Sequence, residues 1–231
     1  MEARRYLKNY AAISVTEQSQ LANRHVLIVG SGGLGGYLLE YLGRLGVGNI
    51  TIVDGDVFDE TNLNRQLLSS QMNLGKPKVL AAKHRMLAIN PLVHLETVQE
   101  NLTEENAASL VKNHDIVLDA LDNIPDRLLL QRTCKEVGLP LVHGALAGWY
   151  GQVCVIQPGE DLLDLIYGNY DIEQGEELET GSLSFTAGLV ASVQAGEAVK
   201  LLLGKPILQK DLLVIDILHN SFEWFELVSN I

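Results

Sequence analysis

Cysteine is scarce in this chain: its 231 residues hold two, Cys134 and Cys154. Two thiols exclude a disulfide framework and a four-cysteine zinc site. Positive charge is also in the minority, with 17 Lys and Arg against 29 Asp and Glu and a formal charge of −12. That balance opposes non-specific nucleic-acid binding, which relies on cationic side chains neutralising phosphates. A local basic pocket for a nucleotide stays compatible with it. No apolar run approaches the roughly 18 residues of a spanning helix, so no membrane segment is expected. The opening Met1-Glu2-Ala3-Arg4-Arg5-Tyr6 lacks the apolar stretch of a secretory signal, so a cytoplasmic protein is expected. With 47% hydrophobic and 20% charged residues, the composition excludes a disordered chain.

What is present alternates between two periods. His25–Val29 is a short apolar run closed by Gly30, which suits a buried strand. Leu34, Leu38, Tyr41, Leu42 and Leu45 then recur at helical spacing. Asn49–Val53 predicts a second strand running into Asp54, and 76–90 a helix with Pro77 in its first turn. A weak strand over 94–98 and a helix over 103–114 capped by Thr103 follow. Further strands are expected at 115–119, 139–143 and 152–157, with a helix over 125–137 stopping at Gly138. Such alternation predicts an α/β fold with a doubly wound, mostly parallel Rossmann-like sheet. The sequence divides into an N-terminal arm at 1–24, a nucleotide-binding part at 25–157, a crossover loop at 158–183 and a C-terminal helix and hairpin at 184–231. The hairpin, from 212–218 and 222–228, extends the sheet with antiparallel strands. The crossover loop carries a run of acidic side chains and reads as exposed throughout.

Gly30, Gly32 and Gly35 in Gly30-Ser-Gly-Gly-Leu-Gly35 satisfy G-x-G-x-x-G between a strand and a helix. Glycines there permit a tight turn and close approach of backbone to phosphate, at a helix N-terminus that favours anions. Asp54 lies 19 residues after Gly35, where an acid accepts hydrogen bonds from ribose hydroxyls. These features alone suit an NAD(P)-dependent oxidoreductase equally well. Arg65, Lys78 and Asp122 are not required by that reading. They suit a nucleoside triphosphate, whose charge needs cations and a Mg²⁺-holding carboxylate at a strand end. The bland alternatives are surface charges for Arg65 and Lys78, and a helix cap for Asp122.

The chain resembles the ThiF/MoeB/HesA family of adenylyltransferases, relatives of ubiquitin-activating enzymes. The resemblance rests on GSGGLG at 30–35, GVGNITIVDGD at 46–56, TNLNRQ at 61–66, GKPK at 75–78, NP at 90–91 and LDALDN at 118–123. PLVHGALAGWYGQV at 140–153 and AGLVASVQAGEAVKLLLG at 187–204 extend it over most of the chain. It implies an enzyme that uses ATP and Mg²⁺ to adenylylate the C-terminal carboxylate of a small ubiquitin-like sulfur-carrier protein with a Gly-Gly tail. An acyl-adenylate and pyrophosphate result, for molybdopterin, thiamin or related sulfur transfer. By motif position, Gly32 and Gly33 would approach the phosphates and Asp54 the ribose. Asn62, Arg65 and Lys78 would contact the triphosphate. Asp122 would hold Mg²⁺, with Asn123 lining the nucleotide site. A homodimer is implied too.

Departures from the pattern matter. Relatives that bind zinc do so through two CxxC pairs, which this sequence lacks, so no structural zinc is expected. No cysteine falls in 158–181, so the resemblance implies an adenylate product and no enzyme thioester. Cys134 and Cys154 read as buried packing residues. Lys8 stands where some relatives carry an arginine that reaches the neighbouring subunit's site, with Arg5 close by. A catalytically silent carrier-binding scaffold is a third reading. The six histidines show no i,i+4 ligand pair and read as surface or core residues.

Overall fold

A computed structural model describes residues 4–168 and 180–227 of the chain. Five strands come first in parallel: β1 (His25–Val29), β2 (Asn49–Val53), β3 (His94–Val98), β4 (Ile116–Asp119) and β5 (Leu141–Ala147). Three antiparallel strands follow, β6 (Tyr150–Ile156), β7 (Asp211–Asp216) and β8 (Ser221–Glu226). Their order in the sheet is β3-β2-β1-β4-β5-β6-β7-β8. The chain therefore moves outward from β1 to β3, then returns to the other side of β1 with β4. That reversal opens a crevice at the carboxyl ends of β1 and β4, where open α/β sheets bind ligands.

Alternation along each strand feeds two cores. Val26 and Ile28 face α2 (Gly35–Leu45), α3 (Lys78–Ile89) and a long helix α7 (Ser184–Leu202). Leu27 and Val29 face α4 (Ala107–Val111), α5 (Ile124–Val137) and α6 (Leu162–Tyr167). With both faces covered, these strands are apolar throughout. A short helix α1 (Val15–Leu21) carries a capping box between Ser14 and Glu17. Before it, Tyr6 packs under Gly46, and its hydroxyl accepts from Asn90 Nδ2 at 2.9 Å.

Several expectations shift. Lys76 and Pro77 precede α3 instead of opening it, because Lys78 N–H is tied to Asp56 O at 3.0 Å and Pro77 stands at the cap. The helix expected over 103–114 shortens to Ala107–Val111, and Thr103 closes the preceding turn by accepting from Asn106 N. The crossover loop is not exposed throughout: Leu162 and Leu163 are buried in α6, whose Leu163 N–H donates to Gln131 Oε1 of α5. The loop's residues 169–179 lie outside the described ones. Strand β5 runs on to Ala147 and turns directly into β6, an antiparallel pair inside the stretch 25–157. On β8, which is the sheet's edge, Phe222, Trp224 and Phe225 are all exposed.

Candidate active site

The crevice holds a cavity of about 290 Å³. Four strand ends line it. From β1 come Gly30, Gly32 and Gly33; from β2, Asp54 and Asp56; beyond β3, Glu100, Asn101 and Leu102; and beyond β4, Leu121, Asp122, Asn123 and, from α5, Asp126. Arg65, Gln66, Lys78 and Ser182 line it too.

The glycine turn is shaped by contact with its neighbours. Gly30 has φ +99°, and a Cβ there would sit 2.4 Å from Ala120 O. A Cβ on Gly35 would sit 1.9 Å from Gly30 O. Gly32 and Gly33 are different. The nearest atom to a Cβ on Gly33 is 3.9 Å away and on Gly32 3.5 Å, so neither absence is required by protein packing. Both line the cavity, as a backbone built for close approach of a ligand would.

Asp54 is held on both oxygens, accepting from Ser31 N at 2.6 Å and Asp56 N at 2.8 Å. Burial raises its carboxyl above the ordinary carboxylate range, against the pull of the Lys78 ammonium and these two N–H groups. Lys78 Nζ stands 2.8 Å from Asp56 Oδ2 and 4.0 Å from Asp54 Oδ2. At 7% exposure Lys78 is no surface charge. Arg65 is half-buried, donating to Thr61 O at 3.0 Å and Asn64 Oδ1 at 2.9 Å, with its side chain at the cavity.

Asn123, not Asp122, caps α5: its Oδ1 accepts from Asp126 N at 2.9 Å. Asp122 is therefore exposed at the cavity with its carboxylate unspent on the helix start. A hard carboxylate oxygen in the same cavity as the glycine turn is donor chemistry that Mg²⁺ takes. Asn62 is not among the lining residues. Its Oδ1 accepts from Asp59 N at 3.0 Å and closes the local turn. Arg5 is occupied within its own chain, hydrogen-bonded to Asn90 Oδ1 at 2.5 Å, whereas Lys8 is exposed. Both cysteines are buried, and burial pushes both thiols up, Cys134 to about 12. Gln66, Glu100, Asn101, Leu146 and Ser182 line the cavity without having been singled out from the sequence. Position directly after β3 was the available signal for Glu100 and Asn101.

A parallel sheet with a glycine turn, a strand-end acid and two cations at its crevice defines a nucleotide-binding protein of the Rossmann type. Residues 5–230 match the ThiF family, and the chain belongs to it. It is 36% identical over 210 residues to the SAMP-activating enzyme E1 of Haloferax volcanii, covering 89% of this chain and 77% of that protein. It is likewise 36% identical over 217 residues to the molybdopterin-synthase adenylyltransferase of Escherichia coli, covering 92% and 87%. Against the probable adenylyltransferase/sulfurtransferase MoeZ of Mycobacterium tuberculosis the identity is 37%, over 91% of this chain but 56% of that longer protein. The fold is that of Escherichia coli MccB, with a TM-score of 0.85 over 98% of this chain and 70% of that one at 20% identity. Among the described residues no helix is long and apolar enough to cross a membrane.

Proposed function

We propose that this protein adenylylates the C-terminal carboxylate of a small ubiquitin-like sulfur carrier at the expense of ATP. One observation carries the reading. A single cavity gathers two bare glycines, Arg65, Lys78 and a carboxylate, Asp122, that no helix cap consumes. The names of the relatives, adenylyltransferases and a carrier-activating E1, support the same class.

In this reading the backbone of Gly32 and Gly33 lies along the phosphates, and Asp54 accepts from the ribose hydroxyls. Asp54 is oriented for this by Ser31 and Asp56 N–H. The carrier carboxylate attacks the α-phosphorus; a carboxyl oxygen–phosphorus bond forms, and the bond to the bridging β-phosphate oxygen breaks. Pyrophosphate leaves with its electron pair. Arg65 and Lys78 offset the charge that grows on the leaving group, and Asn62 fixes the turn that carries Arg65. Asp122 would hold Mg²⁺, which would add to the neutralisation of the phosphates. Positioning and charge therefore do most of the work, and no side chain need transfer a proton.

The carrier docks on the exposed aromatics Phe222, Trp224 and Phe225 of β8. The same reading has the enzyme working in the cytoplasm as a homodimer in which Lys8 serves the partner's site. ATP–pyrophosphate exchange with candidate Gly-Gly-tailed carriers tests it. Exchange that depends on one carrier is expected. A protein that ignores ATP and binds NAD(P) instead would overturn the proposal.

A further inference from the structure

Strand β4 ends at Asp119, fully buried beneath the loop that carries Asp122. In the parallel register Asp119 lies opposite His143 of β5, also fully buried. His143 Nδ1 stands 2.6 Å from Asp119 Oδ2. The second oxygen, Oδ1, accepts the backbone N–H of Leu121 at 2.9 Å. His143 Nε2 meets the hydroxyl of Tyr167, the last residue of α6, at 3.1 Å. Gln152 of β6 donates its amide to the same hydroxyl oxygen. Arg127 of α5 donates through Nη2 to Leu121 O at 2.7 Å and through Nη1 to the Tyr167 oxygen at 3.4 Å. Its Nε is 3.9 Å from Asp119.

The proton positions follow. Burial lowers the imidazole's affinity for a second proton and pushes the Tyr167 hydroxyl up to about 12. A carboxylate oxygen only accepts, so the ring proton sits on Nδ1 and Nε2 accepts from Tyr167. The chain of donors then runs from Gln152 to Tyr167 to His143 to Asp119.

Such a network is costly. Asp119, His143 and Arg127 are withdrawn from water and Tyr167 and Gln152 partly so, and apolar packing of the same volume is often as stable. None of the five lines the cavity. Among the described residues, the network's side chains meet the site's own wall at one residue, on the two peptide units that flank it: Leu121 N–H through Asp119, and Leu121 C=O through Arg127. Leu121 lines the cavity and immediately precedes Asp122.

We propose that Asp119, His143, Tyr167 and Arg127 are positioning residues for Asp122, holding the Leu121 backbone from both its polar atoms so that the Asp122 carboxylate is aimed at the nucleotide's phosphates. This rests on the proposed adenylylation and on Asp122 acting there. It also assigns a role to α6, which lies inside the segment otherwise read as a loop.

The test uses the full-length protein, MgATP binding by calorimetry across a Mg²⁺ series, and ATP–pyrophosphate exchange with the carrier that supports it. Tyr167→Phe removes one oxygen and keeps the ring. His143→Ala removes the middle of the relay, and His143→Asn retains a donor for Asp119. Each of Tyr167→Phe and His143→Ala should lower exchange kcat by about fivefold, the size of one net hydrogen bond, with KM for ATP at saturating Mg²⁺ within about twofold. The Mg²⁺ needed for half-maximal ATP binding should rise in parallel. The double variant should be no worse than His143→Ala, since members of one network do not add, and His143→Asn should recover most of the loss. Folded Tyr167→Phe protein with unchanged kcat and Mg²⁺ requirement would overturn the inference. So would losses that add while only thermal stability changes. If the unaltered protein neither binds MgATP nor exchanges, the proposed function falls and this inference with it. If it does both and Tyr167→Phe matches it, only the inference falls.

Discussion

Gly30 and Gly33 lie three residues apart in one turn, yet alanine should act on them in opposite ways. At Gly30 the backbone is left-handed, φ +99°, and the new methyl would meet Ala120 O at 2.4 Å. The conformational term alone costs about 1–2 kcal/mol. For a domain of this size that lowers Tm by about 2–8 °C, before any displacement of β4's end. At Gly33 the backbone is ordinary, and the methyl would find Ala187 Cβ no nearer than 3.9 Å. Alanine at a compatible glycine stabilises by about 0.4–1 kcal/mol through the unfolded chain. Gly33→Ala should therefore melt no lower than the unaltered protein. Its defect should appear only with nucleotide. At ATP a hundredfold above Kd, binding stabilises the fold by about 2.7 kcal/mol. That is a rise of about 5–10 °C. A methyl that pushes the phosphates off the loop and weakens ATP tenfold halves this rise. Differential scanning fluorimetry with and without MgATP measures both effects. A Gly33→Ala protein whose ATP-induced rise is undiminished would refute close approach of phosphate to this backbone.

Arg65→Ala, Lys78→Ala and Asp122→Ala should each lower ATP–pyrophosphate exchange by at least about tenfold, with folding checked by circular dichroism; full exchange in Asp122→Ala would count against the Mg²⁺ role. Cys134 and Cys154 should resist a thiol reagent at pH 8 until the protein is unfolded, because burial disfavours both thiolates. The carrier should accordingly be released by denaturant without reductant, and a reducible carrier–enzyme conjugate on gels would contradict this. Glu17 is held down to about 2 by hydrogen bonding to Lys205 and to Ser14. Its contribution is thus complete above about pH 4.5 and lost as pH falls toward 2, and Glu17→Gln should flatten that stretch of a Tm-against-pH curve.

Much of the fold was legible because its signals are local. The apolar runs at 25–29, 49–53 and 116–119 are strands buried on both faces, and Gly46 and Gly138 end α2 and α5 in the left-handed conformation that favours glycine. The β5–β6 hairpin was harder to delimit. Gly144 and Gly151 interrupt its pattern like turn residues. They stay in strands because α7 fills the space of their missing side chains: a Cβ on Gly144 would strike Gln194 Oε1 at 2.4 Å, and one on Gly151 would strike Val190 Cγ2 at 2.2 Å. Helix α6 was hidden for a similar reason. Leu162 and Leu163 are two apolar residues among acids, and what buries them is Gln131 and its neighbours on α5, thirty residues earlier in the chain.

The candidate site divides along the same line. The glycine turn, Asp54 and Asp122 follow strand ends directly, as groups lining the crevice of a parallel sheet do, whereas Arg65 and Lys78 come from the loop after β2 and the start of α3 and were legible through their motifs. The bland alternative, that Asp122 caps the helix, falls to Asn123 instead, which a run of Asp-Asn before a helix leaves undecided until the N–H of Asp126 is seen to choose Asn123. The Asp119–His143 contact joins residues 24 apart, and only the β4–β5 register sets them opposite one another. No spacing rule announces it, because register is decided by the whole sheet and not by either segment. Residues that line the crevice can therefore be read from short motifs, whereas those that brace them from behind are found only once strands are paired.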